Sequence, residues 1–325
     1  MWFVRKMDRV EKLVAQMFGA VEKGRPEIAL SLAAGIDDPG NHPPFFHVLG
    51  VAQAMRGQFE LALENLEKAS SLNPHEPQYL IDCANVWVRQ DQHSGAIPVW
   101  KRALKLIKDD IGLWHLLAQS QIATNDYESA LASYRQALEI ESEHPDLWCN
   151  LAAILKRLGR LEESLDSWQK ALKINPGSFA ALAGFGAVKV DQREYKEARR
   201  FLEKSIQLEP GAYEPRGNLI LVALAESAFG EAMEHFEKQP VNWQESVQGN
   251  EIHGAILDGL GRQALLNGEF ERAEELIRLA LQKNEELSTA WFNLGQVLRV
   301  HGAWEEAIEA YEKSVAHGDE AIGAQ

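Results

Sequence analysis

The sequence predicts an all-α protein that repeats one pair of helices along its length. Three observations support this prediction: an apolar pattern that recurs about every 34 residues, small side chains at fixed places of each copy, and Gly or Pro at the expected helix ends. One pair of amphipathic helices cannot bury its apolar face alone, so the copies must stack on each other. We therefore expect the 325 residues to form a linear array.

The segment 146–177 shows the pattern most clearly. Its first half carries one helical stripe, formed by Trp148, Leu151, Ala152 and Leu155. Gly159 can adopt the positive φ that ends a helix. A second apolar stripe follows and stops at Asn175-Pro176, because the residue before a proline avoids helical geometry. The segment is thus predicted to be a helix, a tight turn and a second helix.

The pattern recurs in about eight copies, which begin near residues 43, 77, 111, 145, 179, 213, 254 and 288. The eighth place of a copy is small in all but one: Gly50, Ala84, Ala118, Ala152, Gly186, Ile220, Gly261 and Gly295. The twenty-fourth place is large: Leu66, Trp100, Tyr134, Trp168, Leu202, Phe236, Ile277 and Tyr311. Small residues where two helices cross, filled by large ones from the partner helix, are what dense interhelical packing requires.

Residues 1–42 are expected to form a degenerate N-terminal helix pair that caps the array. Val10, Val14 and Met17 lie on one helical stripe, and Gly24-Arg25-Pro26 marks a turn before a second helix. The apolar run Trp2, Phe3 and Val4 is expected to cover the exposed end of the stack.

The copy that begins near 213 departs from the pattern. Bulky Ile220 occupies the small place and should push the two helices apart, and Gln239-Pro240 interrupts the second helix. About seven extra residues, 247–253, precede the next copy. Two interpretations remain open: a tolerated insertion that lengthens one helix or loop, or a bend that separates two binding segments.

At the other end, the last helix is expected to stop near Val315. Without a polar capping helix, the face formed by Ile308, Tyr311 and Val315 would be exposed. Either another chain covers this face, or the sequence is one part of a longer protein.

Composition restricts the function classes. A net charge of −15 argues against nucleic acid or an anionic membrane as the main partner, since both need a basic surface. The two cysteines, Cys83 and Cys149, lie in separate copies and indicate a reducing, cytoplasmic location. The N-terminus lacks the apolar core of a signal peptide, and no apolar run is long enough to span a membrane.

Signals of catalysis are weak. Gly259, Gly261 and Ala264 match a dinucleotide-binding fingerprint, but no strand precedes them and Gly261 occupies the small place of its copy. The ten histidines show no metal-ligand spacing. We therefore predict no enzyme activity, no metal and no cofactor.

The repeated pattern resembles that of the tetratricopeptide repeat (TPR) proteins. The family signature is visible in Trp291-Phe292-Asn293-Leu294-Gly295 and in Trp148, Leu151 and Ala152, and its final proline appears as Pro74, Pro176 and Pro210. The resemblance covers about residues 43–320. It implies a right-handed α-α superhelix, or TPR solenoid, with repeats 1–6 in 43–246, an insertion at 247–253, and repeats 7–8 with a short tail in 254–325.

The resemblance also implies a concave groove lined by the second, fifth, sixth, ninth and twelfth or thirteenth places of each first helix. The candidate peptide- or partner-binding residues are Asn85, His115, Gln119, Asn150, Lys156, Arg157, Asn218, Arg262, Asn293 and Arg299. Amides donate and accept hydrogen bonds, so they can hold a peptide main chain without selecting its sequence. The small residues between 180 and 187 would leave room for a bulky ligand side chain.

These features favour a non-catalytic scaffold that binds an extended peptide or a protein partner. Because the surface of the scaffold is acidic, we expect this partner to be basic. Two alternatives remain: a substrate-recruiting arm of a transferase complex similar to O-linked N-acetylglucosamine transferases, and a structural component that self-associates end to end. The former is supported only by Asn150, Asn218 and Asn293 at places where that family carries an asparagine ladder. The Lys, Arg and Asn clamp of chaperone-binding members is incomplete, since His47 and Val51 stand where Lys and Asn are needed.

Overall fold

The computed structural model describes residues 2–36 and 39–323, with side chains for 9–36 and 39–318. Nineteen helices and no strand lie within these residues. The helices are α1 (Trp2–Glu22), α2 (Pro26–Ala34), α3 (Pro43–Met55), α4 (Phe59–Leu72), α5 (Pro77–Arg89), α6 (His93–Leu106), α7 (Ile111–Ala123), α8 (Tyr127–Ile140), α9 (Pro145–Arg157), α10 (Leu161–Ile174), α11 (Phe179–Asp191), α12 (Tyr195–Leu208), α13 (Glu214–Ala225), α14 (Phe229–Glu237), α15 (Val241–Gln244), α16 (Val247–Leu266), α17 (Phe270–Lys283), α18 (Ser288–Val300) and α19 (Trp304–Gly323).

The chain divides into two compact units, Met1–Arg160 (unit 1) and Leu161–Gln325 (unit 2). Within each unit, most consecutive helices pack against each other, and first helices of neighbouring repeats also meet: α3 contacts α5, α11 contacts α13, and α16 contacts α18. The predicted all-α fold of TPR type is confirmed.

Local sequence explains where the first helices begin. Pro43, Pro77 and Pro145 occupy the start of their helices, where a fixed φ is favourable and no N–H is needed. Elsewhere a side chain caps the helix: Asp110 accepts a hydrogen bond from the backbone N–H of Leu113 at 2.9 Å, and Ser178 accepts one from that of Ala181 at 3.3 Å.

The turn between the two helices of a repeat always contains one left-handed residue, at the fifteenth place. Four of these residues are glycines and four are not: Gly57, Asp91, Asn125, Gly159, Arg193, Ser227, Gly268 and Gly302, with φ between 57° and 79°. The role predicted for Gly159 is thus shared by all eight repeats. Arg193 and Ser227 adopt this conformation despite their Cβ atoms, which disfavour it.

The small eighth place and the large twenty-fourth place meet inside each repeat. A Cβ added to Gly186 would lie 2.7 Å from Leu202 Cγ, and one added to Gly295 would lie 2.6 Å from Tyr311 Cε1. Such distances are too short for carbon atoms, so the large residue occupies the space that the glycine leaves. Gly50 and Gly261 are filled in the same way by Leu66 and Ile277.

In the irregular repeat, Ile220 is fully buried and packs with Phe236 and Ile256. Its second helix, α14, has only nine residues, and the short α15 follows it. Residues 247–253 form the first two turns of α16, which is twenty residues long. The extra residues therefore lengthen a helix.

The start of α16 is held closely against α15. Ser246 caps α16 by accepting a hydrogen bond from the backbone N–H of Gly249 at 3.0 Å. A Cβ on Gly249 would lie 2.1 Å from the carbonyl oxygen of Trp243, so only glycine fits there. Gln244 Nε2 donates to the carbonyls of Glu237 and Gln239 at 3.2 and 2.8 Å, which satisfies the end of α14.

Both ends of the chain are helical within the described residues. Val10, Val14 and Met17 of α1 are buried as expected, whereas the side chains of Trp2, Phe3 and Val4 lie outside the described residues. The expectation that the last helix stops near Val315 is wrong, because α19 runs to Gly323.

Exposure also differs along α19. Ile308 and Val315 are exposed as predicted, but Tyr311 is half-buried because its ring fills the space beside Gly295. No helix among the described residues is long and apolar enough to cross a membrane.

Candidate functional site

We call the surface that the first helices of the repeats present in each unit the first-helix face. In unit 1 it is built from α3, α5, α7 and α9. Asn85, His115 and Asn150 are half-buried there, and Gln119 is exposed. These predicted residues therefore lie at the surface with part of each side chain accessible.

Polar side chains on this face also link neighbouring helices. His47 Nε2 of α3 lies 2.7 Å from Asp82 Oδ2 of α5, and Gln78 Nε2 donates to the same oxygen at 3.1 Å. The His47 ring is packed between Phe18 and Tyr79, with ring centroids 5.6 and 4.7 Å away. His47 and Asp82 thus hold α3 against α5.

His115 lies beside Tyr134, with ring centroids 5.6 Å apart. Burial lowers the pKa of His115, and the neighbouring His144 lowers it further. The imidazole is therefore neutral at pH 7 and offers one hydrogen-bond donor and one acceptor.

The two predicted cations of α9 differ in environment. Arg157 is exposed and stacks on Tyr127, with its guanidinium carbon 5.6 Å from the ring centroid and an N–H donated to the hydroxyl at 3.1 Å. Lys156 is half-buried. Arg157 is thus oriented by an aromatic platform while its charge remains in solvent.

In unit 2 the first-helix face is built from α11, α13, α16 and α18. Asn218 is half-buried and donates to the carbonyl of Glu214 at 3.3 Å. Arg262 is exposed and lies over Phe229, 5.6 Å from the ring centroid. Arg299 is exposed near the end of α18.

Asn293 differs from the other predicted residues because it is buried, with 6% of its surface exposed. Its Nδ2 donates to Asp258 Oδ1 at 2.8 Å, and the Thr289 hydroxyl donates to Asp258 Oδ2 at 2.9 Å. Asp258 is itself only 8% exposed. The pair joins α16 to α18, as His47 and Asp82 join α3 to α5.

Two clefts open on the first-helix face of unit 2. The first, which we call the α13 cleft, has a volume of about 350 Å³ and lies between α13, α15 and α16. Its lining includes Asn218, Leu221, Gln239, Trp243, Gln248 and Ile252. The irregular α15 and the added turns of α16 supply three of these six residues, Trp243, Gln248 and Ile252, so the insertion forms part of the cleft.

The second, the α18 cleft, has a volume of about 470 Å³ and lies between α16, α18 and α19. Its lining includes Arg262, Leu266, Thr289, Phe292, Asn293 and Gln296. Leu266 is 80% exposed and Phe292 48% exposed, so the cleft presents apolar surface as well as polar groups.

Both clefts are lined by residues at the repeat places that the sequence pattern assigns to the groove. The second, fifth, sixth and ninth places of the first helix all line the α13 cleft, as Glu214, Gly217, Asn218 and Leu221. The same places line the α18 cleft, as Thr289, Phe292, Asn293 and Gln296. The contributions of Asp258 and Trp243 were not predicted, because neither shows a local motif and both act through a neighbouring helix.

The small residues of α11 have a structural explanation. Ala183 and Ala187 are buried, and a Cβ on Gly184 would lie 2.3 Å from Trp168 Cζ2. The Trp168 ring therefore occupies the space next to Gly184 that could have received a ligand side chain.

The glycines of the apparent dinucleotide fingerprint are packing residues as well. A Cβ on Gly259 would lie 2.2 Å from the Phe229 ring, and one on Gly261 would lie 2.6 Å from Ile277 Cγ1. No group of three or more potential metal ligands occurs in the part of the chain that the structure describes.

Sequence comparison identifies tetratricopeptide repeats in both units. Three family models match: "Tetratricopeptide repeat" at residues 145–178, "TPR repeat" at 121–159 and "Tetratricopeptide repeat" at 259–322. No curated protein matches the chain.

Several solved structures are similar to the chain. PilF of Pseudomonas aeruginosa is 17% identical, with 64% of this chain and 95% of that chain covered and a TM-score of 0.52. A tetratricopeptide repeat protein from Parabacteroides merdae is 18% identical, covering 74% and 93% at a TM-score of 0.49. YrrB, described as a TPR protein with an unusual peptide-binding site, is 18% identical, covering 54% and 90% at 0.47.

The repeat matches, the 19 helices and the recurring turn and packing places agree with one another. The chain contains tetratricopeptide repeats in both units.

Proposed function

We propose that this protein is a non-catalytic scaffold that binds an extended segment of a partner protein along its first-helix face. Tetratricopeptide repeats generally serve as binding modules rather than catalysts. The single observation that carries the proposal is the pair of clefts in unit 2, each lined by the second, fifth, sixth and ninth places of a first helix.

The chemistry of the clefts suits a peptide in extended conformation. Asn218, Gln248 and Gln296 supply amides that can hydrogen-bond to a main chain. Leu221 and Phe292 are 44% and 48% exposed and can cover apolar ligand side chains. Recognition would then combine main-chain hydrogen bonds with a small number of apolar contacts.

In unit 1, Asn85, His115, Gln119, Asn150, Lys156 and Arg157 are proposed to continue this surface. We infer that the partner segment of the first-helix face is basic, because the net charge of −15 attracts cations at long range. This attraction would be modest and would weaken with salt. A cytoplasmic location is proposed because both cysteines are buried and free of disulfides.

Peptide display against the full chain, followed by calorimetric titration of the selected peptide, would test the proposal. We expect Leu221→Ser and Phe292→Ser each to weaken binding about tenfold, since each removes roughly 1 to 1.5 kcal/mol of apolar contact. Asn218→Ala should cost about 1 kcal/mol for one lost hydrogen bond.

Leu208→Ser is the matched control, because Leu208 is 50% exposed but lies on a second helix. Equal affinities of the Leu221→Ser, Phe292→Ser and wild-type proteins would contradict the proposed site. Co-purification of a transferase subunit with the intact protein would instead favour the recruiting-arm alternative.

Self-association is a second candidate function. Trp304, Ile308 and Val315 are 62%, 59% and 63% exposed on one stripe of α19. A continuous exposed stripe of large apolar residues favours contact with another protein surface. Sedimentation of the wild type and Ile308→Glu tests this, since concentration-dependent association should be lost only in the variant.

A further inference from the structure

Unit 1 has a separate cleft that is formed mainly by second helices of the repeats. It is formed by the second helices α6 and α8 with α7 beneath them, and its volume is about 930 Å³. We call it the α6–α8 cleft. Lys101, Lys105, Lys108 and Arg135 line it, together with a smaller number of carboxylates, Glu128 and Glu139.

We propose that the α6–α8 cleft binds an acidic segment of a partner protein that carries apolar side chains between its carboxylates. This surface is independent of the first-helix face and has the opposite charge preference.

The basic character of this cleft contrasts with the rest of the chain. Residues 92–108 contain no Asp or Glu, although the whole protein has a net charge of −15. No ion pair links Lys101, Lys105 or Lys108 to any carboxylate among the described residues. Within the described residues these three ammonium groups are therefore not engaged in ion pairs, and they can contact a ligand.

The other repeats lack this arrangement. The places of Lys101, Lys105 and Lys108 are occupied by Glu67, Ser71 and Pro74 in the preceding repeat. In the repeat that begins near 179 they are occupied by Glu203, Gln207 and Pro210. The cation cluster is thus not a requirement of the repeat fold.

The floor of the cleft is apolar. Leu104, Leu117 and Leu131 are buried beneath it, and Ala132 at its edge is small and exposed. Trp114 is half-buried and donates its indole N–H to the carbonyl of Lys108 at 2.9 Å, which fixes the chain end of α6 beside the cleft. The floor can therefore receive apolar side chains while the rim holds charges.

The spacing of the cations suits a helical or extended acidic segment. Lys101 and Lys105 are one helical turn apart on α6, and Arg135 faces the cleft from α8. Nucleic acid is a poorer occupant, because a polyanion gains its affinity from many phosphate contacts and the cleft offers four cations.

A synthetic amphipathic peptide of about four helical turns, with Glu residues on both sides of a Leu stripe, is the probe. Fluorescence anisotropy of the labelled peptide with the full chain should show saturable binding that weakens as salt is raised. Matched peptides with Glu→Gln or Leu→Ser changes should both bind more weakly, since one removes the charges and the other the apolar contacts.

The double variant Lys101→Glu and Lys105→Glu should weaken binding about tenfold. Lys173→Glu is the matched control, because Lys173 is exposed at the same repeat place as Lys105 but lies on α10. Leu221→Ser should also leave the affinity unchanged, which separates this surface from the first-helix face.

Three results would overturn the proposal: equal binding of the Glu→Gln peptide, equal binding by the double variant, or tighter binding of an RNA oligonucleotide than of the acidic peptide. Light scattering of the protein alone provides a further test. Association that the double variant abolishes would show that a second copy, rather than a different protein, occupies the cleft.

Discussion

Asn293 donates a hydrogen bond to Asp258 at 2.8 Å, and both side chains are more than nine-tenths buried. The bond connects the first helices of two neighbouring repeats, α16 and α18. A residue that the sequence pattern places in the groove therefore also stabilises the stacking of the repeats.

Replacement of Asn293 by Ala should destabilise unit 2 by about 1 to 3 kcal/mol, because the Asp258 carboxylate loses a buried donor. Urea unfolding followed by circular dichroism measures the change. Gln296→Ala, at a half-buried groove position on the same helix, should leave stability nearly unchanged. Identical unfolding midpoints for Asn293→Ala and the wild type would contradict the assigned role.

Arg193→Gly should stabilise the protein by about 0.5 to 1 kcal/mol, since Arg193 has a φ of 61° and glycine has no Cβ to clash there. Thermal unfolding of the variant would show a higher midpoint. Arg193→Ala is the control for loss of the charged side chain and should give no such gain, because Ala retains the Cβ.

Gly184→Ala should destabilise the protein by about 1 to 3 kcal/mol, because the new methyl group would lie 2.3 Å from the Trp168 ring. Tryptophan fluorescence would report the displaced ring, and urea unfolding would report the cost. Gly230→Ala is the control: it lies in α14, nothing is within 4 Å of its would-be Cβ, and Ala should be tolerated there.

The ion cluster of Arg199, Glu226 and Glu231 predicts a pH dependence. Arg199 hydrogen-bonds to both carboxylates, and its bond to Glu231 lowers the pKa of Glu231 in the folded protein. A lowered folded-state pKa gives stability above the unfolded-state value, near 4.5, that is lost as the pH falls through the folded-state value.

Thermal midpoints of the wild type and Glu231→Gln between pH 7 and pH 3 test this dependence. We expect the wild type to lose more stability than the variant below about pH 4.5. Parallel curves would show that Glu231 makes no contribution. Glu203, a more exposed neighbour of Arg199, offers a control as Glu203→Gln.

Cys83 should resist thiol reagents in the folded protein. It is 2% exposed, and burial raises the pKa of its thiol to about 12. In a Cys149→Ser background, an aromatic disulfide reagent at pH 8 should react slowly in buffer and rapidly in guanidinium chloride. Rapid reaction of the folded protein would mean that α5 opens readily.

The regular part of the fold could be predicted because one constraint repeats. Gly186 beneath Leu202 and Gly295 beneath Tyr311 are the same packing contact in two repeats, so the pattern is visible in the sequence. The left-handed turn was harder to recognise, because Arg193 and Ser227 occupy it without the glycine that signals it.

The site was less predictable because it depends on contacts between repeats. The hydrogen bond to Asp258 that buries Asn293, and the Trp168 ring beside Gly184, involve residues 35 and 16 positions away. Pro240 indicated a break in the second helix, but only the structure shows that α15 and the start of α16 form the wall of a cleft.

The length of the addition at the start of α16 determines whether the rest of the helix keeps its contacts. Seven residues make nearly two whole turns, so they rotate the rest of the helix by only about 20°. Asp258 and Arg262 therefore keep the orientation they would have without the added turns. An insertion of five residues would have turned both side chains away from their partners. Adding whole helical turns is therefore a route by which a repeat can gain a new cleft wall without losing its existing contacts.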